Sequence, residues 1–226
     1  MSQENKPDAP AAAASAAIEE VRGKNLLLRF EGKRCIHSRH CVLEAPDVFL
    51  ANVKGPWIHP DAMRTKDLVA VAQNCPSGAI TYERTDGGPQ EAAPSVNVAN
   101  IRENGPIAIH ADIALEDQPK MLRATLCRCG ASKNKPFCDS SHHEIDFVAT
   151  GEPATQESKS LEHRGGELKI TPFKDGPLGV VGNLEIISGT GRTVSRVTKT
   201  ALCRCGHSAN KPFCDGTHAK IGFKTS

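Results

Sequence analysis

The sequence predicts an α+β protein built from three small units, and three observations lead there. A 22-residue segment beginning at Leu126 returns at Leu202 and agrees at 15 of 22 positions without a gap. The stretch before the repeats, roughly residues 25–84, is of another kind, with short apolar runs flanking one segment of helical spacing. Among the 226 residues, hydrophobics make up 38 % and aromatics only 4 %, with 19 glycines and 15 prolines. That composition is loop-rich and offers little bulky material for a large core. Nine cysteines stand out, and their odd number means that disulfides alone cannot use them all. The net charge of +2 is too even to imply a nucleic-acid partner by itself, and no run of about 18 apolar residues offers a membrane span.

Residues 1–22 are expected to form a disordered tail. They are rich in Ala and Pro, carry Glu4, Asp8, Glu19 and Glu20, and reach their first arginine at Arg22. This fits neither a secretory leader nor a mitochondrial presequence. A cytoplasmic, reducing compartment is therefore expected, where clustered cysteines bind metal more often than they pair. The next unit is placed at residues 23–88. Within it, 25–31 (NLLLRFE) and 79–83 (AITYE) read as strands and 67–73 (DLVAVAQ) as a helix. Trp57 and Tyr82, the only residues of their kinds, are expected to pack in its core rather than to relay electrons. Residues 85–95 (TDGGPQEAAPS) form a linker by composition.

The two repeated units are placed at residues 96–152 and 160–226, with 151–160 separating them. The similarity extends upstream, because Asn104-Gly-Pro-Ile-Ala-Ile and Asp175-Gly-Pro-Leu-Gly-Val precede the copies at an offset of 71. The Cys-rich segments are offset by 76, so five extra residues lie inside the second copy, expected near 189–192. Each copy reads as a turn, strand material over Ile107–Leu115 or Leu178–Ile187, a connection, and a Cys-rich loop.

Each loop presents Cys-x-Cys, eight residues, Cys, three residues, His. The sets are Cys127, Cys129, Cys138 and His142, then Cys203, Cys205, Cys214 and His218. Cysteines one residue apart direct both sulfurs at one metal and sit badly for a disulfide with each other. Asp139 and Asp215 are positioned to cap a short helix that carries the histidine in its first turn and turns its positive dipole end toward an anionic metal–sulfur centre. Three Cys and one His also suit a structural zinc ion, so spacing alone leaves zinc open. Arg128, Lys133, Lys135, Arg204 and Lys211 crowd the loops and read as a solvated cationic rim. The other reading is that they offset cluster charge and steer an acidic redox partner.

The residues between the ligands carry more. The string Cys-x-Cys-x2-Ser-x3-Pro-x-Cys-Asp-(Gly/Ser)-(Ser/Thr)-His resembles the CDGSH, or mitoNEET-like, iron–sulfur family. The matching positions are Cys127, Cys129, Ser132, Pro136, Cys138, Asp139, Ser141 and His142, and then Cys203, Cys205, Ser208, Pro212, Cys214, Asp215, Gly216, Thr217 and His218. Ser140 departs from the family's usual Gly, which leaves the ligands intact and puts the local backbone in question. The resemblance covers roughly residues 104–225. It implies one [2Fe-2S] cluster per motif on three cysteines and one histidine, and, since relatives with one motif pair into dimers, an intramolecular pseudo-dimer. Three thiolates give an oxidised site a net charge of −1 where four would give −2, so its potential lies above that of an all-cysteine centre. A ligating imidazole must be deprotonated, so acid competes with iron for it and the clusters are expected to be pH-sensitive.

Cys35, Cys41 and Cys75 remain, with Pro76 after the last. The segment RCIHSRHCVLEAPDVF…NCPSGAI resembles divergent single-cluster ferredoxin domains over roughly residues 25–84, with Ser38 where the middle cysteine of the ferredoxin triplet stands. Three thiolates suffice for a [3Fe-4S] cluster, which is the preferred expectation. A [4Fe-4S] cluster needs a further ligand such as Ser38, His37 or His40.

The whole therefore reads as a monomeric iron–sulfur electron-transfer protein with a ferredoxin-like unit and two CDGSH units. No nucleotide-binding glycine fingerprint, phosphate loop or nucleophile–base motif marks it as an enzyme. The expected partners are a redox protein donor and acceptor, with neither nucleic acid nor membrane. The alternatives are a carrier or sensor of labile [2Fe-2S] clusters and, further off, a zinc module that contacts nucleic acid.

Overall fold

The computed structural model describes residues 18–225. The expected disordered tail lies largely outside the described residues, but its end does not follow that expectation. Glu19–Arg22 form strand β1, antiparallel to β2 (Leu26–Phe30), because the chain returns through a turn closed by Gly23 N–H on the Leu26 carbonyl. The central β2 also pairs with β3 (Ile80–Arg84), giving a three-stranded antiparallel sheet. Two helices complete the unit, α1 (His40–Glu44) and α2 (Thr65–Gln73). Helix α2 buries Leu68, Val71 and Ala72, whose i, i+3, i+4 spacing forms one apolar stripe. That stripe meets Leu26, Leu28, Phe49, Ile80 and Tyr82 in the core. Trp57 packs edge-on to Phe30 at 4.9 Å, and the Tyr82 hydroxyl accepts a hydrogen bond from Gln73 at 2.8 Å. Both side chains are packed in or against the core.

The repeated half is a six-stranded sheet. The first copy supplies β4 (Val98–Ile101), β5 (Ile107–Leu115) and β6 (Met121–Leu126), and the second β7 (Glu167–Pro172), β8 (Leu178–Ile187) and β9 (Thr193–Leu202). Strands β5 and β8 are antiparallel to the strands that flank them in their own copy. The copies also exchange partners: β4 runs parallel to β8, and β7 runs parallel to β5. Strands β4 and β7 pair with successive stretches of β5 (Ile107–His110, then Asp112–Leu115) and of β8 (Glu185–Ile187 and Leu178–Val181), so they lie end to end between β5 and β8, with β6 and β9 as outer neighbours. These four strands therefore have partners on both sides, and β6 and β9 form the outer edges.

Each copy thus has three strands, more than the one or two expected. The five extra residues are not in the turn near 189–192, because residues 116–120 and 188–192 are turns of equal length. They lengthen the strands instead, from nine and six residues in β5 and β6 to ten and ten in β8 and β9. Register shifts fall between His110 and Ile113 and between Val181 and Leu184, equivalent places in the two copies. The core of this half is aliphatic, with Ile101, Ile107, Ile113, Leu168, Ile170 and Leu178 wholly or almost wholly buried. The low aromatic content therefore marks a core of branched aliphatics. Among the described residues no helix is long and apolar enough to cross a membrane.

Candidate metal centres

Each Cys-rich loop leaves the end of a long strand and folds back onto it. Cys127 N–H donates to the Pro136 carbonyl at 2.8 Å, and Cys138 N–H to the Thr125 carbonyl at 2.9 Å. The second copy repeats both bonds through Cys203 with Pro212 and Cys214 with Ala201. Ser132 Oγ donates to the Phe137 carbonyl, and Ser208 Oγ to that of Phe213, each at 2.6 Å. These serines belong to the motif because they tie the loop's start to its end.

The donors come in twos. Cys127 and Cys129 sulfurs lie 3.8 Å apart, and Cys138 Sγ lies 3.5 Å from His142 Nδ1. In the second copy Cys203 and Cys205 are again 3.8 Å apart, and Cys214 Sγ is 3.3 Å from His218 Nδ1. Among the described residues no three such side chains converge on one point, as a four-coordinate zinc ion requires. Two donors for each of two irons is what a binuclear cluster needs. The residues therefore fit a [2Fe-2S] group, and they fit it through Nδ1 of each histidine.

Backbone amides already point at the sulfurs. Ala131 N–H reaches Cys129 Sγ, Ser140 N–H reaches Cys138 Sγ and Gly216 N–H reaches Cys214 Sγ, each at 3.4 Å. Such donors favour thiolate over thiol. Burial works the other way: it pushes the Cys138 thiol up to about 11 and lowers His142, which keeps that imidazole neutral and available as a ligand. The hydrogen bond between Cys127 and Cys129 splits that pair, lowering the first and raising the second.

Helix α3 (Ser141–Glu144) carries His142, and α4 (Thr217–Lys220) carries His218. Each is a single turn, so the expected dipole is a short one. The residue at the helix start is Ser140 or Gly216, not the aspartate, and both are left-handed at φ 72° and 86°. Asp139 and Asp215 stand one residue earlier, where Oδ1 accepts the N–H of Ser141 or Thr217 and Oδ2 that of Lys133 or Ala209. Each aspartate thus clamps the loop from both sides. Ser140 adopts the conformation that Gly216 adopts without cost.

The cationic rim is corrected in part. Arg128 and Arg204 are buried, at 1 % and 3 % exposure. Arg128 donates to the carbonyls of Gly105, Thr150, Arg102 and Ala149 and stacks on Phe147; Arg204 donates to Gly176 and Phe173 and stacks on Phe223. These two hold the strand turn and the chain beyond the helix around the loop. The loops of the two copies also touch. A methyl on Gly130 would lie 2.7 Å from the Cys205 carbonyl oxygen, and one on Gly206 would lie 2.5 Å from that of Cys129.

The third set is arranged differently. Cys35 follows a 3-10 turn over Gly32–Arg34, Cys41 sits in α1, and Cys75 follows the end of α2. The connecting loop bends through His37 and Arg39, both left-handed. The sulfurs are close enough to feel each other's charge, and burial raises the Cys35 and Cys41 thiols. His37 N–H points at Cys35 and Val42 N–H at Cys41. Of the expected further ligands, His40 lies 3.1 Å from Glu44, while His37 and Ser38 line a cleft facing His142. Sequence reasoning missed Ser77, buried with its Oγ 3.6 Å from Cys75 Sγ. Its only signal was the Ser-Gly after Cys75-Pro76.

Comparison with known proteins agrees with this division. Residues 104–143 and 175–219 each match the family described as "Iron-binding zinc finger CDGSH type", and residues 21–85 match "Divergent 4Fe-4S mono-cluster". Over 60 residues, 26 % of this chain and 78 % of the relative, the sequence is 37 % identical to "Uncharacterized protein YjdI" of Escherichia coli strain K12, and equally to that of strain O157:H7. The chain therefore belongs to the CDGSH-type iron–sulfur proteins, with two tandem CDGSH units behind a divergent 4Fe-4S mono-cluster domain.

Proposed function

We propose that this protein is a one-electron carrier with three iron–sulfur centres. Cys127, Cys129, Cys138 and His142 hold one [2Fe-2S] cluster, and Cys203, Cys205, Cys214 and His218 hold a second. Cys35, Cys41 and Cys75 hold a [3Fe-4S] or [4Fe-4S] cluster, and the match of residues 21–85 to a 4Fe-4S family favours the latter. Bound clusters supply reversible one-electron chemistry that no side chain here provides. The chain's own groups hold the donors two and two, aim amide N–H groups at the sulfurs and exclude water around the first set. The observation that carries this reading is the pairing itself, Sγ to Sγ at 3.8 Å and Sγ to Nδ1 at 3.5 and 3.3 Å, made twice.

The two CDGSH units act as a pseudo-dimer within one chain. The exchanged β4–β8 and β5–β7 pairings and the reciprocal Gly130 and Gly206 contacts support this. The partners are redox proteins, and the setting is a reducing one. Anaerobic redox titration tests the function: reversible one-electron reduction of every centre is expected, and irreversible loss of the clusters on reduction overturns it.

One observation favours a second reading, delivery of a labile cluster. Cys138 and His142 are buried, whereas Cys214 and His218 are half-buried and Asp215 and Gly216 exposed. If the second unit gives its cluster away, incubation with an apo-ferredoxin transfers iron and sulfide, and from that unit first.

A further inference from the structure

We propose that the amino-terminal cysteine set is docked on the first CDGSH unit alone, forms with it a coupled redox pair, and is held there by Arg34 as a positioning residue. The proposal rests on the electron-carrier reading above.

Arg34 precedes Cys35 and is only 9 % exposed. Its Nη2 donates to the Ser77 carbonyl at 2.7 Å, two residues after Cys75, and to the Arg123 carbonyl at 2.6 Å on β6, the strand that runs into Cys127. Its guanidinium carbon lies 5.1 Å from the ring centre of Phe137, the neighbour of Cys138. One buried side chain thus touches residues beside ligands of both sets. A second cation answers it from the other unit. Arg123 donates to the carbonyls of Ala72 and Cys75 at 2.6 and 2.7 Å, while Glu91 balances its charge at 2.7 Å. Buried and hydrogen-bonded on both sides, these two arginines fix one docking geometry.

The seam has no slack. A methyl on Gly78 would lie 2.7 Å from the Arg123 carbonyl oxygen. Asn134 in the first Cys-rich loop donates to the Lys33 carbonyl at 2.8 Å. Beyond the seam, Ile36, His37 and Ser38 face His142 and His143 across a cleft of about 630 Å³, so the loop after Cys35 and the ligand His142 share that space. The second copy has no such arrangement. At the positions of Met121 and Arg123 it carries Val197 and Lys199, and among the described residues no hydrogen bond joins residues 18–91 to 160–225. The second unit meets the first instead, through Gly130 and Gly206.

Each of the two sets brings three thiolates to its cluster, so the pair exchanges one electron in either direction: what one centre loses the other gains, and an external one-electron donor replaces it.

The test is electron-spin power saturation on the full, cluster-loaded chain reduced anaerobically with dithionite. Two relaxation populations are expected for the CDGSH signals, one fast and one slow. Cys75→Ser, which removes an amino-terminal ligand, should abolish the fast population. Phe137→Leu and Arg34→Lys should weaken the enhancement, and Phe213→Leu, the equivalent change in the second unit, should leave it. If Arg34→Lys does not fold, Phe137→Leu against Phe213→Leu carries the comparison. A single relaxation population, or equal effects of the two Phe variants, overturns the docking. Failure of the centres to reduce reversibly overturns the electron-carrier reading itself, a result the same samples report separately.

Discussion

Gly130 and Gly216 are both left-handed, at φ 86°, but their surroundings differ. A methyl on Gly216 meets nothing within 4 Å, so Gly216→Ala costs only the backbone preference, about 1 kcal/mol. A methyl on Gly130 would press on the Cys205 backbone of the other copy, so Gly130→Ala adds overpacking and costs about 3 kcal/mol in all. Denaturation of the loaded protein followed in the visible band should show this order, with Gly130→Ala bleaching first. The eight donors that the structure pairs in the two loops could be named from the sequence because their chemistry lies in the side chain and their spacing is local. Arg128, Arg204 and Arg34 could not. A cation is buried only when distant carbonyls gather around it, and Gly105 and Thr150 stand 23 and 22 residues from Arg128. Nothing near an arginine in the sequence announces such partners.

Strands and helices were legible where periodicity was strong. The expected strands Ile107–Leu115 and Leu178–Ile187 coincide with β5 and β8, and the helix expected at 67–73 lies within α2. Strand β1 was missed because Glu19–Arg22 is mostly exposed, and its pairing with β2 leaves no apolar pattern. The placement of the five extra residues was missed for a related reason: a turn-like Gly-Thr-Gly occurs there, yet extra length is absorbed where two strands can extend their ladder. One side chain in that ladder makes a test. Glu185 on β8 is buried and accepts two hydrogen bonds from Arg164, at 2.7 and 3.1 Å, just ahead of β7. That pairing, assisted by Arg196, holds its carboxyl below the usual carboxylate range. A depressed carboxylate contributes stability above its unfolded pKa and loses it as pH falls through the folded value. Glu185→Gln should therefore cost about 1 kcal/mol near neutral pH, and the gap from wild type should close on acidification. Urea denaturation at several pH values reads this directly.

For the whole molecule, the order of three units could be read from composition and repetition, but the joining of the repeats could not. Pairing of β4 with β8 and of β7 with β5 is long-range, and alternation of apolar residues serves any partner equally. This exchange of strands makes the two CDGSH units interdependent. Ile170 on β7 belongs to the second copy, but it pairs with Leu115 of the first and lies fully buried in the shared core. Ile170→Ala should cost 2–5 kcal/mol, on the order of other large-to-small core changes, and should speed loss of both CDGSH clusters together. Independent bleaching of the second alone would place the units in separate cores.

The central claim is that the paired donors hold iron–sulfur clusters. Iron, sulfide and zinc analysis of the anaerobically purified full chain, read with its visible spectrum, tests it most directly. The account predicts a coloured protein with about seven or eight irons per chain, sulfide to match and little zinc. A colourless protein with stoichiometric zinc at the two His-containing sites would contradict it.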